Sequence, residues 1–87
     1  SRKGLAVREK LAAEFPAVPD YRKDLAASHI NLGIHHRTLG SGVEAEAEYR
    51  KAVAIQEKLV ADHPAVPAYR SDLAQSYYNL GALLLDL

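Results

Sequence analysis

The sequence predicts an all-α fold of four helices, joined by short loops into antiparallel hairpins and stacked as a short solenoid. Three observations predict it. The chain repeats itself: Glu14-Phe15-Pro16-Ala17-Val18-Pro19-Asp20-Tyr21-Arg22 returns as Asp62-His63-Pro64-Ala65-Val66-Pro67-Ala68-Tyr69-Arg70, an offset of 48 residues from Pro16 to Pro64. About half of the superimposed pairs are identical, and a fixed period of this size marks a repeat array. Helix breakers stand at Pro16–Pro19, Gly40 and Pro64–Pro67. Between them apolar residues recur every three or four positions, and no strand-like alternation is present.

The first helix is expected from about Arg2 to Phe15, with Leu5 and Leu11 on its apolar stripe. Two prolines three apart do not fit inside one helix, because each lacks an N–H and constrains its predecessor. Pro19 suits the first position of the second helix, where a missing N–H costs nothing. That helix is expected over 19–39, with Tyr21, Leu25, Ser28, Leu32, His35 and Leu39 on one side. Gly40 suits the left-handed turn beyond its end. Ser41 and Glu44 make a capping-box pattern opening the third helix. Its acidic residues Glu44, Glu46 and Glu48 precede Arg50, Lys51 and Lys58, as the helix dipole favours. Ala45, Tyr49, Ala52, Val53, Ile55 and Leu59 supply its apolar face. The fourth helix, over 67–87, repeats the second with Tyr69, Leu73, Ser76, Leu80, Leu83 or Leu84, and Leu87. The short loops imply antiparallel neighbours. The single domain 1–87 then divides into a half-hairpin 1–15, a complete hairpin 19–63 and a half-hairpin 67–87. With Ser1 in first place and no methionine, the chain is expected to be a piece of a longer array.

Composition excludes several function classes. Eleven basic residues balance eleven acidic ones, which argues against a general nucleic-acid binder. No cysteine is available for a disulfide framework or a thiolate metal site. The run Ala82-Leu83-Leu84-Leu85 is far short of a membrane span. No signal peptide is visible in residues 1–15, so a cytoplasmic location is expected.

The central hairpin resembles a tetratricopeptide repeat. The family pattern runs Trp-x2-Leu-Gly-x2-Tyr, then Ala-x3-Phe, then Pro. Here it reads His29-x2-Leu32-Gly33-x2-His36, then Ala45-x3-Tyr49, with Ala52 following. His29 and Tyr77 replace the tryptophan, His36 and Leu84 the tyrosine, and Glu57 the closing proline. The period of 48 exceeds the family's usual 34. Ala54-Ile55-Gln56-Glu57-Lys58-Leu59, Asp62-His63-Pro64-Ala65-Val66 and Asn79-Leu80-Gly81 resemble the longer repeats of kinesin light chains and their bacterial relatives. The resemblance implies a right-handed solenoid and a non-catalytic protein-binding scaffold. It also implies that Asn31 and Asn79 bond a bound peptide's backbone in a groove lined by helices 19–39 and 67–87; the alternative is that these asparagines bond within the array. Ile30, Ile34 and Arg37, with Tyr78, Ala82 and Leu85, are expected to share that face. The lysine and arginine clamp for C-terminal carboxylates is not present, since Arg37 is the one cation there.

Other chemistry is weaker. His29 and His36 lie roughly 10 Å apart along one helix, too far for one ion with zinc–nitrogen bonds near 2 Å. No metal site or cofactor is expected, and no residue sits in a nucleophile motif, so the chain does not read as an enzyme. Asp24 and Asp72, beside Arg22 and Arg70, recur at equivalent positions and read as structural ion pairs or helix-terminus bonds. The expected partner is a protein or peptide. The alternative is structural self-assembly, as a homodimer or oligomer through Tyr77, Leu80, Leu84 and Leu87 on the last helix.

Overall fold

A computed structural model of the chain describes residues 2–87, and among them every regular element is helical. The helices are α1 (Arg2–Glu14), α2 (Pro19–Thr38), α3 (Gly42–Asp62) and α4 (Pro67–Asp86). Each packs on its neighbour in sequence, α1 on α2, α2 on α3 and α3 on α4. The result is a slab with principal extents of 36 × 29 × 14 Å.

The proline-bounded loops are conformational copies of each other. Val18 and Val66 are both extended, at φ/ψ of −99/99° and −98/103°, as the residue before proline must be. Val18 N–H donates to Phe15 O and Val66 N–H to His63 O. An aromatic pair brackets each loop: Phe15 with Tyr21 at 5.9 Å, His63 with Tyr69 at 6.0 Å between ring centroids. The repeat is therefore conformational as well as textual.

The loop between α2 and α3 uses a different device. Gly40 takes φ +79°. Its N–H donates to Arg37 O, and Ser41 N–H donates to His36 O at 2.8 Å, the paired bonds of a Schellman motif. This overrides the capping box expected of Ser41 and Glu44. That box needs the Ser41 N–H for the glutamate, and the Schellman bond already takes it. Ser41 makes no side-chain cap bond; its carbonyl accepts from Ala45 N–H.

The core is thin and centres on α3. Ala45, Tyr49, Leu80 and Leu83 form a buried cluster with Ile30 packed against it. Of the two candidates on α4, Leu83 is buried and Leu84 is exposed. The stripe expected on α2 is corrected. Its buried line is Ala26, His29 and Gly33, while Leu25, Ser28 and Leu32 are half-buried and His35 and Leu39 are exposed. The reason is geometric: α2 is covered on two sides, by α1 and by α3, and a one-stripe pattern describes a helix covered on one. Small residues take the tighter side. A Cβ on Gly33 would stand 2.5 Å from Cδ1 and Cε1 of Tyr49.

Candidate functional site

Because α3 packs on both α2 and α4, the two flanking helices form the walls of a groove with α3 as its floor. Lys23, Ala27, Ile30 and Asn31 line the α2 wall, and Asp72, Gln75, Ser76 and Asn79 the α4 wall. Gln56 lies between them, and the groove holds about 250 Å³. Asn31 is exposed and its amide has no protein partner among the described residues; Asn79 is half-buried and accepts from Gln75 Nε2 at 3.2 Å. The two repeat-equivalent asparagines thus line one groove from facing helices.

Three of the residues expected on the groove face line it: Asn31, Asn79 and Ile30, the last partly spent on the core. Ile34, Arg37, Tyr78, Ala82 and Leu85 do not line it. Arg37 is engaged by Asp86 across the ends of α2 and α4. Tyr78 and Leu85 are exposed elsewhere. Among the residues expected to self-associate, Leu80 belongs to the chain's own core, at 9 % exposure, which corrects its placement on an open face. Leu84 and Leu87 remain exposed, though Leu87 leans over Gly42. Tyr77 is half-exposed and its hydroxyl donates to Glu57 Oε2 at 2.6 Å. That bond, with burial and the Glu57 charge, raises the phenol above its usual value.

Sequence reasoning missed Gln56, Lys23, Ala27, Asp72, Gln75 and Ser76 as groove residues. One signal pointed to Gln56: the 48-residue offset matches it to Arg8, so a polar floor recurs in both copies. Arg8 lines a smaller groove of about 160 Å³ between α1 and α2, and its guanidinium donates to Ser28 Oγ at 2.9 Å. Gln56 is 7 % exposed, and its Oε1 is buried without a hydrogen-bond partner.

The remaining polar chemistry is structural. His29 Nδ1 donates to Glu48 Oε2 at 2.6 Å across the α2–α3 contact. Burial pushes the Glu48 carboxyl up, but the His29 bond and the nearby Lys51 outweigh it and hold the group below its usual range. Arg22 pairs with Asp62 at 2.9 Å and lowers that carboxyl. Among the described residues Asp24 and Asp72 form no ion pair, which corrects the ion-pair half of their expected role. Arg22 reaches back to the end of α3 instead, and Arg70 donates to Pro64 O. Among the described residues no group of three or more His, Asp or Glu side chains is placed to hold a metal ion. No helix there is long and apolar enough to cross a membrane.

Comparison of the chain with protein-family models, with curated proteins and with solved structures gives no match. The tetratricopeptide resemblance accordingly rests on the motif residues alone.

Proposed function

We propose that the chain is a non-catalytic interaction module of tetratricopeptide-like solenoid type, which binds an extended peptide of a protein partner in the groove between α2 and α4. The observation that carries the reading is the pair Asn31 and Asn79. They are 48 residues apart, they line the same groove from two walls, and the Asn31 amide is free to bond a ligand. An amide offers a donor and an acceptor, which suits a peptide backbone. Copies of it at repeat spacing suit an extended chain rather than a compact small molecule.

Selection of displayed random peptides on the immobilised protein tests this, with the Asn31→Ala/Asn79→Ala double variant as control. Both side chains lie off the core, so the variant should keep the parent's circular dichroism. Selected peptides should bind it roughly tenfold more weakly, the scale expected for losing one to two hydrogen bonds. Peptides that bind parent and variant equally would overturn the reading.

A second reading is self-assembly, and one observation favours it. Tyr78, Leu84, Leu85 and Leu87 are all exposed near the end of α4, Leu85 at 90 %. A second copy of the chain covering the end of this helix would bury leucines worth up to about 1.5–3 kcal/mol each.

A further inference from the structure

The two floor residues, Arg8 and Gln56, occupy equivalent places but leave opposite situations. In the α1–α2 groove the chain supplies its own guanidinium, and Arg8 donates to Ser28 Oγ. In the α2–α4 groove the shorter Gln56 stands beside the equivalent Ser76, and its buried Oε1 has nothing to accept from. A buried acceptor without a donor costs free energy that a ligand N–H recovers. Asp72 lines the same groove, with no ion-pair partner among the described residues. Two acceptors, one buried and one charged, therefore belong to residues that line one cavity.

Resting on the groove reading above, we propose that this cavity takes an arginine side chain of the bound peptide, which replaces in trans the guanidinium that Arg8 supplies in cis. Its planar fork of five N–H donors serves Gln56 Oε1 and the Asp72 carboxylate at once. An ammonium is a compact, strongly hydrated charge and meets the same two acceptors less well. Lys23 stands on the opposite wall without an ion pair among the described residues. The occupant must present an acceptor on that side, which a peptide carbonyl does and a bare cation does not.

The test uses capped alanine pentapeptides carrying arginine, citrulline, lysine or alanine at the centre, titrated into ¹⁵N-labelled protein. The arginine peptide should shift the Gln56 side-chain amide and the Asp72 backbone amide. Citrulline keeps the shape and loses the charge, and should bind about tenfold more weakly, as should the arginine peptide on Asp72→Asn. Gln56→Glu places a carboxylate on the floor and should strengthen arginine binding, whereas Gln56→Leu should weaken it. Melting curves of the four proteins separate a folding defect from a binding defect.

Equal groove shifts from the alanine and arginine peptides would overturn the arginine proposal and leave the groove reading standing. Arginine-peptide shifts confined to other surfaces, or absent at millimolar peptide, would overturn the proposal too. The displayed-peptide selection then decides the groove reading separately: selected peptides that need Asn31 and Asn79 but lack arginine retain it, and peptides indifferent to both remove it.

Discussion

Gly33 and Gly81 are repeat equivalents, yet the same substitution at each should act in opposite directions. A Cβ at Gly33 would sit 2.5 Å from two ring carbons of Tyr49 and 3.2 Å from Cζ. Carbon atoms in good contact stand about 3.5–4.0 Å apart, so roughly 1 Å must be found. The ring has nowhere to move: Tyr49 is 1 % exposed and held by Ala45, Leu80 and Leu83. Overpacking of this kind costs about 1–3 kcal/mol. Replacing glycine by alanine within a helix returns about 1 kcal/mol. Gly33→Ala should therefore lose up to about 2 kcal/mol net. At Gly81 a Cβ meets nothing within 4 Å, so Gly81→Ala should gain about 1 kcal/mol. For a domain of this size each kcal/mol moves the melting temperature by about 4–8 °C. Thermal unfolding followed by circular dichroism at the helix band reads both variants against the parent. Tyr49→Leu, destabilising in itself, should shrink the gap between the two alanine variants, because it removes the ring they differ over. A Gly33→Ala protein that melts at or above Gly81→Ala would refute the reasoning, since the close approach would then not exist.

Ala52 is fully buried, and Ala52→Leu should cost about 1–3 kcal/mol in urea unfolding by the same overpacking. The Glu48 carboxyl is lowered on folding from its ordinary value of 4.5, so its stabilising contribution is present above that value and is lost as pH falls through the lowered folded one. Melting temperature should accordingly decline on acidification below about 4.5, and Glu48→Gln should flatten that decline; an unchanged profile would show that the His29 contact does not survive in solution. If a second copy covers the end of α4, light scattering should find a dimer that Leu84→Glu shifts to monomer with helix content kept. A parent that is monomeric at high concentration removes the self-assembly reading.

The helix boundaries were legible because the chemistry that sets them is local. Proline at 16, 19, 64 and 67 restricts the backbone and glycine at 40 admits the left-handed turn, and the helix ends at these breaks fall within a residue or two of those positions. What escaped was tertiary. The Ser41 N–H is the local exception: the turn at Gly40 gives it to His36 O, and the capping box competes for the same donor. The face of α2 departs from one stripe because α1 and α3 both cover it, and His29, buried there, bonds Glu48, a partner 19 residues away. Gln56 reads as a solvent residue in any hydrophobicity pattern; only the arrival of α2 and α4 on either side buries it. Asn31 and Asn79 were recoverable because the repeat marks them twice. Arg37 was not, because its partner Asp86 has a different residue, Thr38, at the equivalent place.

The sequential packing of the helices also shapes how the chain acquires and loses its structure. Every main helix contact joins neighbours along the chain, so no distant segments must find each other and contact order is low. Folding should be fast, on the microsecond-to-millisecond scale of helical bundles. Cooperativity is correspondingly uneven. Among the described side chains of α1 none is buried, whereas α3 carries six buried residues along its length. Amide hydrogen exchange should then be graded, with α1 opening at low free energy and α3 exchanging only through global unfolding. A partner laid across α2 and α4 would bridge helices that α3 alone now ties together, and its protection should spread first to the N-terminal halves of those two helices.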